Sequence, residues 1–148
     1  VIGRMTVKVY FAAPMRGART GSHIYRLICR FLEEQGCTII TPHVLEDDFE
    51  KVEGFMDDEE IFKRDASLLD ECDVLVAEVS SPSTGVGVEI GLARCKGKPV
   101  LCLYRKEEKS RVSALILGDP DIMKVEYTLD NFYEELRGAI ERLKTRKK

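Results

Sequence analysis

Two rhythms alternate along this chain: short β-branched or apolar runs, and longer stretches whose apolar residues recur every three or four positions. Thr6-Val-Lys-Val-Tyr-Phe-Ala12 is the first short run. It breaks at Ala13-Pro14-Met15-Arg16-Gly17, a turn signal, and so predicts a strand. After Ser22, residues Ile24, Leu27, Ile28, Phe31 and Leu32 form one helical stripe that ends near Gly36. Cys37 to Thr41 predicts a second strand, stopped by Pro42. Leu45 to Asp58 is acidic and aperiodic, a surface loop, with Asp57 or Asp58 placed to cap the next helix. That helix carries Ile61, Phe62, Leu68, Leu69 and Cys72. Asp73 to Val79 is apolar at its centre, as a strand buried on both faces should be. A loop, Ser80 to Gly87, then a helix, Val88 to Lys96, lead to a fourth strand, Pro99 to Tyr104. A polar turn, Arg105 to Ser110, and a short helix, Val112 to Leu117, precede a fifth strand, Met123 to Tyr127. Asp130 to Lys144 is a closing amphipathic helix.

Strands alternating with helices imply a parallel sheet covered on both faces, joined by right-handed crossovers. The expected fold is a three-layer flavodoxin-like or Rossmann-like α/β domain with a five-stranded parallel sheet, spanning 1–148 as one unit. The 148 residues suit a single core. In such sheets ligands bind beyond the carboxyl ends of the strands, so the informative residues should follow Ala12, Thr41, Val79 and Tyr104.

Composition narrows the picture. Hydrophobic residues make up 44% and charged residues 33%, a globular balance. The net charge of −3 argues against general binding to a nucleic-acid backbone, and the basic end Lys144 to Lys148 reads as a solvated helix terminus. Five cysteines form no CxxC pair and four sit among apolar neighbours, a pattern suited to a reducing cytoplasm. His23 and His43 are the only histidines and neither has ligand spacing to a partner, so no metal and no cofactor is expected. No apolar run approaches the roughly 20 residues of a membrane span, and Val1 to Met5 offers no signal-peptide core.

Several residues stand out against this pattern. Measured at 100° per residue from Ile61, Asp65 falls at about 40°, inside the apolar stripe of its helix. Buried there, it is either paired structurally or tuned as a proton donor or acceptor. Glu89 follows Gly85-Val86-Gly87-Val88 and is expected in the first turn of a helix, where free N–H groups favour the ionised form a nucleophile needs. Ordinary first-turn acid enrichment explains it equally well. Ser83, Gly85 and Gly87 precede that helix as a phosphate cradle would, though neither a Walker loop nor a dinucleotide fingerprint is present. Arg16, Gly17 and Arg19 follow the first strand, where guanidinium groups meet anions. Tyr10 could send a phenol into the same region or simply fill the core, and His43 follows the second strand.

Taken together, these segments resemble the 2'-deoxynucleoside 5'-monophosphate N-hydrolases, within the nucleoside 2-deoxyribosyltransferase superfamily. The resemblance is carried by Tyr10 to Arg19, Thr41-Pro-His43-Val44, Asp65 with Leu68, Asp73 to Val79, Pro82 to Gly91, and Ser113-Ala-Leu115-Ile116. It implies Glu89 as nucleophile on the anomeric carbon, Asp65 as the group that protonates the leaving base, and Tyr10 orienting Glu89. Substrate contacts are implied for Phe11, Arg16, Gly17, Arg19, His43, Ser83, Gly85, Gly87, Ser113 and Leu115. The substrate would be a small-molecule nucleotide. Ser113 would reach across a homodimer interface toward the phosphate. Departures are Pro14, where the family commonly has Ser, and Ala13 in place of a usual Gly.

Three rival functions share these features in part. A nucleoside 2-deoxyribosyltransferase uses the same Glu but needs no phosphate contacts, against Ser83 and Ser113. A ribonucleotide (CMP-type) N-glycosidase would differ at the 2'-hydroxyl. A non-catalytic nucleotide-binding module would leave Asp65 unexplained.

Overall fold

The computed structural model describes residues 6–14, 22–41 and 54–146. Five strands are present among them: β1 (Val7–Ala12), β2 (Cys37–Ile39), β3 (Val74–Glu78), β4 (Val100–Arg105) and β5 (Ile122–Tyr127). They form one sheet in the order β2-β1-β3-β4-β5, with every neighbouring pair parallel. This is the flavodoxin-type order, whose switch point lies between β1 and β3. The helices are α1 (Ser22–Glu34), α2 (Asp58–Glu71), α3 (Thr84–Cys95), α4 (Ala114–Leu117) and α5 (Phe132–Arg146). None of them is long and apolar enough to cross a membrane.

Strand alternation sorts the core into two halves. Val9, Phe11, Val76, Leu101, Leu103, Val125 and Tyr127 face one way and pack with Ile28 and Leu32 of α1 and Leu136 and Ile140 of α5. Tyr10, Ala12, Leu75, Ala77, Cys102 and Tyr104 face the other way, with Leu69 of α2 and Val86, Ile90 and Ala93 of α3. Both faces of the sheet are therefore covered, and the central strands are apolar on both sides, as their sequence predicts.

Local signals account for most element ends. Asp57 caps α2: its carboxylate accepts the Glu60 N–H at 2.8 Å while the Glu60 side chain accepts the Asp57 N–H at 3.3 Å, a capping box. The other end of α2 has no basic residue of its own in its last turn. Lys98, remote in sequence, donates to the Asp70 and Cys72 carbonyls at 2.9 and 2.8 Å instead. Gly36, at φ +90°, turns the chain from α1 into β2, a conformation that favours glycine. Ladder pairing of β2 ends at Ile39, short of the Thr41 expected, yet the contact continues by other means. Ile40 N–H donates to Val9 O, and the Thr41 hydroxyl accepts from Phe11 N–H and donates to Phe11 O.

Other expected boundaries move as well. The helix expected from Val88 begins at Thr84, so Gly85 and Gly87 lie in its first turn and Glu89 in its second. The Ser83 hydroxyl accepts the Val86 N–H at 3.3 Å, and burial of Val86 and Ile90 outweighs the cost of two helical glycines, about 1 kcal/mol each. The polar segment after β4, expected as a turn, is a 3-10 helix over Lys106–Arg111. Three residues per turn bring Glu108 beneath Arg111, where they pair at 3.1 Å. All five cysteines are free thiols, four of them buried and Cys95 exposed. Burial pushes the Cys29 and Cys102 thiols up to about 12, so they remain neutral apolar filling.

Candidate active site

The sheet brings Tyr10, Asp65 and Glu89 together from three separate elements. Tyr10 lies in β1 opposite Leu75 of β3 and faces the α2/α3 layer. On α3, Glu89 is three residues after buried Val86 and four before buried Ala93, on the flank of the face that packs on the sheet. That placement lets its carboxylate receive the Tyr10 O–H through Oε2. Asp65, on α2, is one turn before Leu69, the residue that anchors that helix in the core.

Electrostatics ties the three into one site. Burial first, then the Glu89 charge and hydrogen bond, then the Asp65 charge raise the Tyr10 phenol far above its usual value; the Arg64 charge opposes them. Tyr10 is therefore a neutral donor throughout the range in which enzymes work. It fixes one oxygen of Glu89 as a hydrogen-bond acceptor. The expected burial of Asp65 is partial. Its side chain is 25% exposed and its Oδ1 lies 3.0 Å from Arg64 Nε, so the carboxylate in the apolar stripe is paired and reaches solvent. Arg64 is a site residue that sequence reading passed over, because one residue from Asp65 it lies off the stripe.

A groove of about 800 Å³ lies between α3 and α4. It is lined by Ser83, Gly87, Val88, Arg111, Ser113 and Leu115, among others. Two of the serines are helix N-caps: Ser83 Oγ accepts Val86 N–H, and Ser113 Oγ accepts Leu115 N–H at 3.2 Å. Each hydroxyl still has its own proton to donate. Gly85 and Gly87 differ in what they offer. The Gly85 N–H belongs to the unsatisfied first turn, whereas Gly87 N–H already donates to Ser83 O at 3.1 Å. A side chain on Gly87 would meet nothing within 4 Å, so its contribution is an open helix surface. Glu89, Tyr10 and Asp65 are not among the described residues lining this groove. Ser113 and Leu115 share this groove with Ser83, Gly87 and Val88, the residue next to Glu89. Phe11 points to the opposite face of the sheet from Tyr10 and is fully buried against Tyr25 of α1. Arg16, Gly17, Arg19 and His43, and most of the acidic loop after them, lie outside the described residues.

This architecture of paired carboxyl groups beyond a flavodoxin-type sheet has a family counterpart. The nucleoside 2-deoxyribosyltransferase model matches residues 9–136, and the chain belongs to that family. Among its relatives, a Thermofilum pendens protein named as a candidate 2'-deoxynucleoside 5'-phosphate N-hydrolase is 45% identical over 141 residues, covering 93% of this chain and 92% of its own. The 5-hydroxymethyl-dUMP N-hydrolase of Rattus norvegicus is 36% identical over 138 residues, covering 85% and 84% respectively. A Clostridium botulinum CMP N-glycosidase shares the fold, with a TM-score of 0.62 at 24% identity over 92% of this chain and 98% of that one.

Proposed function

We propose that this chain hydrolyses the N-glycosidic bond of 2'-deoxynucleoside 5'-monophosphates, releasing free base and 2-deoxyribose 5-phosphate. The observation that carries the reading is the Tyr10 O–H held on Glu89 beside Asp65. One carboxylate fixed by a neutral donor and a second within its electrostatic reach is the pairing a two-step glycosidase requires. The names of the relatives above supply the substrate class.

In the first step the Glu89 carboxylate attacks the anomeric carbon as the bond to the base nitrogen breaks, and Asp65 assists protonation of the departing base. A covalent deoxyribosyl 5-phosphate ester results. In the second step water attacks the same carbon, its proton passes to Asp65, and the Glu89 carboxylate leaves. Ser83, Arg16 and the Gly85 N–H hold the 5'-phosphate, and Arg19 and His43 complete the pocket. The chain acts as a homodimer in which Ser113 reaches the partner's phosphate. Supporting this, the groove onto which Ser113 opens presents Val88 at 52% and Leu115 at 86% exposure, an apolar surface that a second copy would cover.

Free-base release from deoxynucleoside monophosphates, ribonucleotides and unphosphorylated deoxynucleosides tests the proposal, with Ser83→Ala beside the wild type. The wild type is expected to release base from the deoxy monophosphates alone. Ser83→Ala is expected to raise KM about tenfold with kcat nearly unchanged, as loss of one hydrogen bond to a charged group would. Turnover that requires a second free base would instead identify a transferase. No release from any member of the panel would contradict an enzyme acting on these substrates.

A further inference from the structure

Glu78 is the last residue of β3 and the one charged side chain of that otherwise apolar strand. It is 0% exposed, on the sheet face opposite the Tyr10–Glu89 pair, and the chemistry above makes no use of it. Nor is it idle. Its Oε1 accepts the Ser80 N–H at 2.6 Å, and its Oε2 accepts the Tyr127 O–H. Arg105 Nη1, at the end of β4, stands 4.0 Å from the same Oε2. Ser80 is buried too, and its Oγ accepts the Arg105 N–H at 2.9 Å, while Val79 N–H donates to Leu103 O at 2.8 Å. The ends of β3, β4 and β5 are thus tied to one buried carboxylate. The backbone it grips is the start of the crossover that runs through Ser83 into α3.

A buried charge is costly unless it is fully hydrogen-bonded, and here both oxygens are engaged. A neutral cap would satisfy a single N–H at less cost. A carboxylate is suited to holding three strand ends at once, because each oxygen accepts more than one donor. Burial, then the nearby Glu78 charge, raises the Tyr127 phenol well above its usual value, so this donor stays protonated alongside it.

We infer that Glu78 is a positioning residue for substrate phosphate: by fixing Ser80 against Tyr127 and Arg105, it sets where the Ser83 hydroxyl stands. The inference rests on the functional reading above and deepens it. Its test is titration calorimetry with 2-deoxyribose 5-phosphate, with wild type, Glu78→Gln, Ser83→Ala and the double variant, each compared by melting temperature. Glu78→Gln is expected to weaken binding about tenfold, and the double variant to bind no more weakly than Ser83→Ala alone. Tyr127→Phe, which removes one of the two groups engaging Oε2 and keeps the charge, is expected to weaken binding in the same direction by a smaller factor. It also serves should Glu78→Gln fail to fold. In turnover, both variants should raise KM for the monophosphate with little change in kcat. Unchanged binding in folded Glu78→Gln and Tyr127→Phe, or effects of Glu78→Gln and Ser83→Ala that simply add, would overturn the inference alone. A wild-type chain that neither binds the sugar phosphate nor releases base would overturn the functional reading and this inference together.

Discussion

Replacing Glu89 with alanine is expected to lower base release from a deoxynucleoside monophosphate by roughly a thousandfold or more, because on the proposed mechanism the attacking atom itself is gone. The fold should tolerate the change. Glu89 lies at the flank of α3 rather than within its buried stripe, and the loss leaves one buried phenol, Tyr10, without its acceptor. An unsatisfied hydroxyl of this kind costs about 1–3 kcal/mol, enough to lower the melting temperature without unfolding the chain. Glu89→Gln separates the two effects. It keeps an oxygen for the Tyr10 O–H while removing the proposed nucleophile, so it should melt near the wild type and be as inactive as the alanine variant. Initial rates and thermal melts of the two variants check this directly.

The largest expected loss of stability lies at Leu75. This residue is fully buried in β3, the middle strand of the sheet, between Tyr10 of β1 and Val100 of β4. Strand neighbours on both sides and helices above leave little room for the structure to collapse into a vacated space. Leu75→Ala should therefore cost about 2–5 kcal/mol, with the cavity adding to the lost transfer energy. For a chain of this size that is a fall in melting temperature of roughly 5–15 °C. Leu129→Ala, at a site 64% exposed, should change stability by no more than about 0.5 kcal/mol, and denaturant unfolding of both variants makes the comparison.

Sequence and structure agree where the determining physics is local. The α1 stripe, the Asp57 cap and the five apolar runs each carry their signal within a few residues, and the all-parallel sheet is the one expected of alternating elements; its flavodoxin-type order, as against the Rossmann one, was not legible in them. The start of α3 was obscured because Ser-Pro-Ser-Thr-Gly-Val-Gly has a loop's composition. Only the packing of Val86 and Ile90 on the sheet draws those glycines into the helix. Asp65 was visible as a carboxylate among apolar residues, but its pairing with Arg64 and its partial exposure depend on how α2 sits on its neighbours. The Tyr10–Glu89 contact spans 79 residues and that of Tyr127 with Glu78 spans 49. No spacing rule within one element reaches so far. For the first pair, family resemblance supplied what periodicity could not. Glu78 offered a fainter signal, a single charge closing an apolar strand, whose meaning emerges only when the ends of β3, β4 and β5 meet.

The most direct test of the central claim, that Glu89 carries the sugar as a covalent ester, is the stereochemistry of transfer to methanol. A β-configured deoxynucleoside monophosphate is supplied with methanol as competing acceptor, and the methyl 2-deoxyriboside 5-phosphate is examined by proton NMR before it can equilibrate. Two successive displacements at one carbon, the first by Glu89, predict a product of retained β configuration. A product of α configuration would mean that the acceptor attacks the substrate directly, and would contradict the assignment of Glu89 as nucleophile.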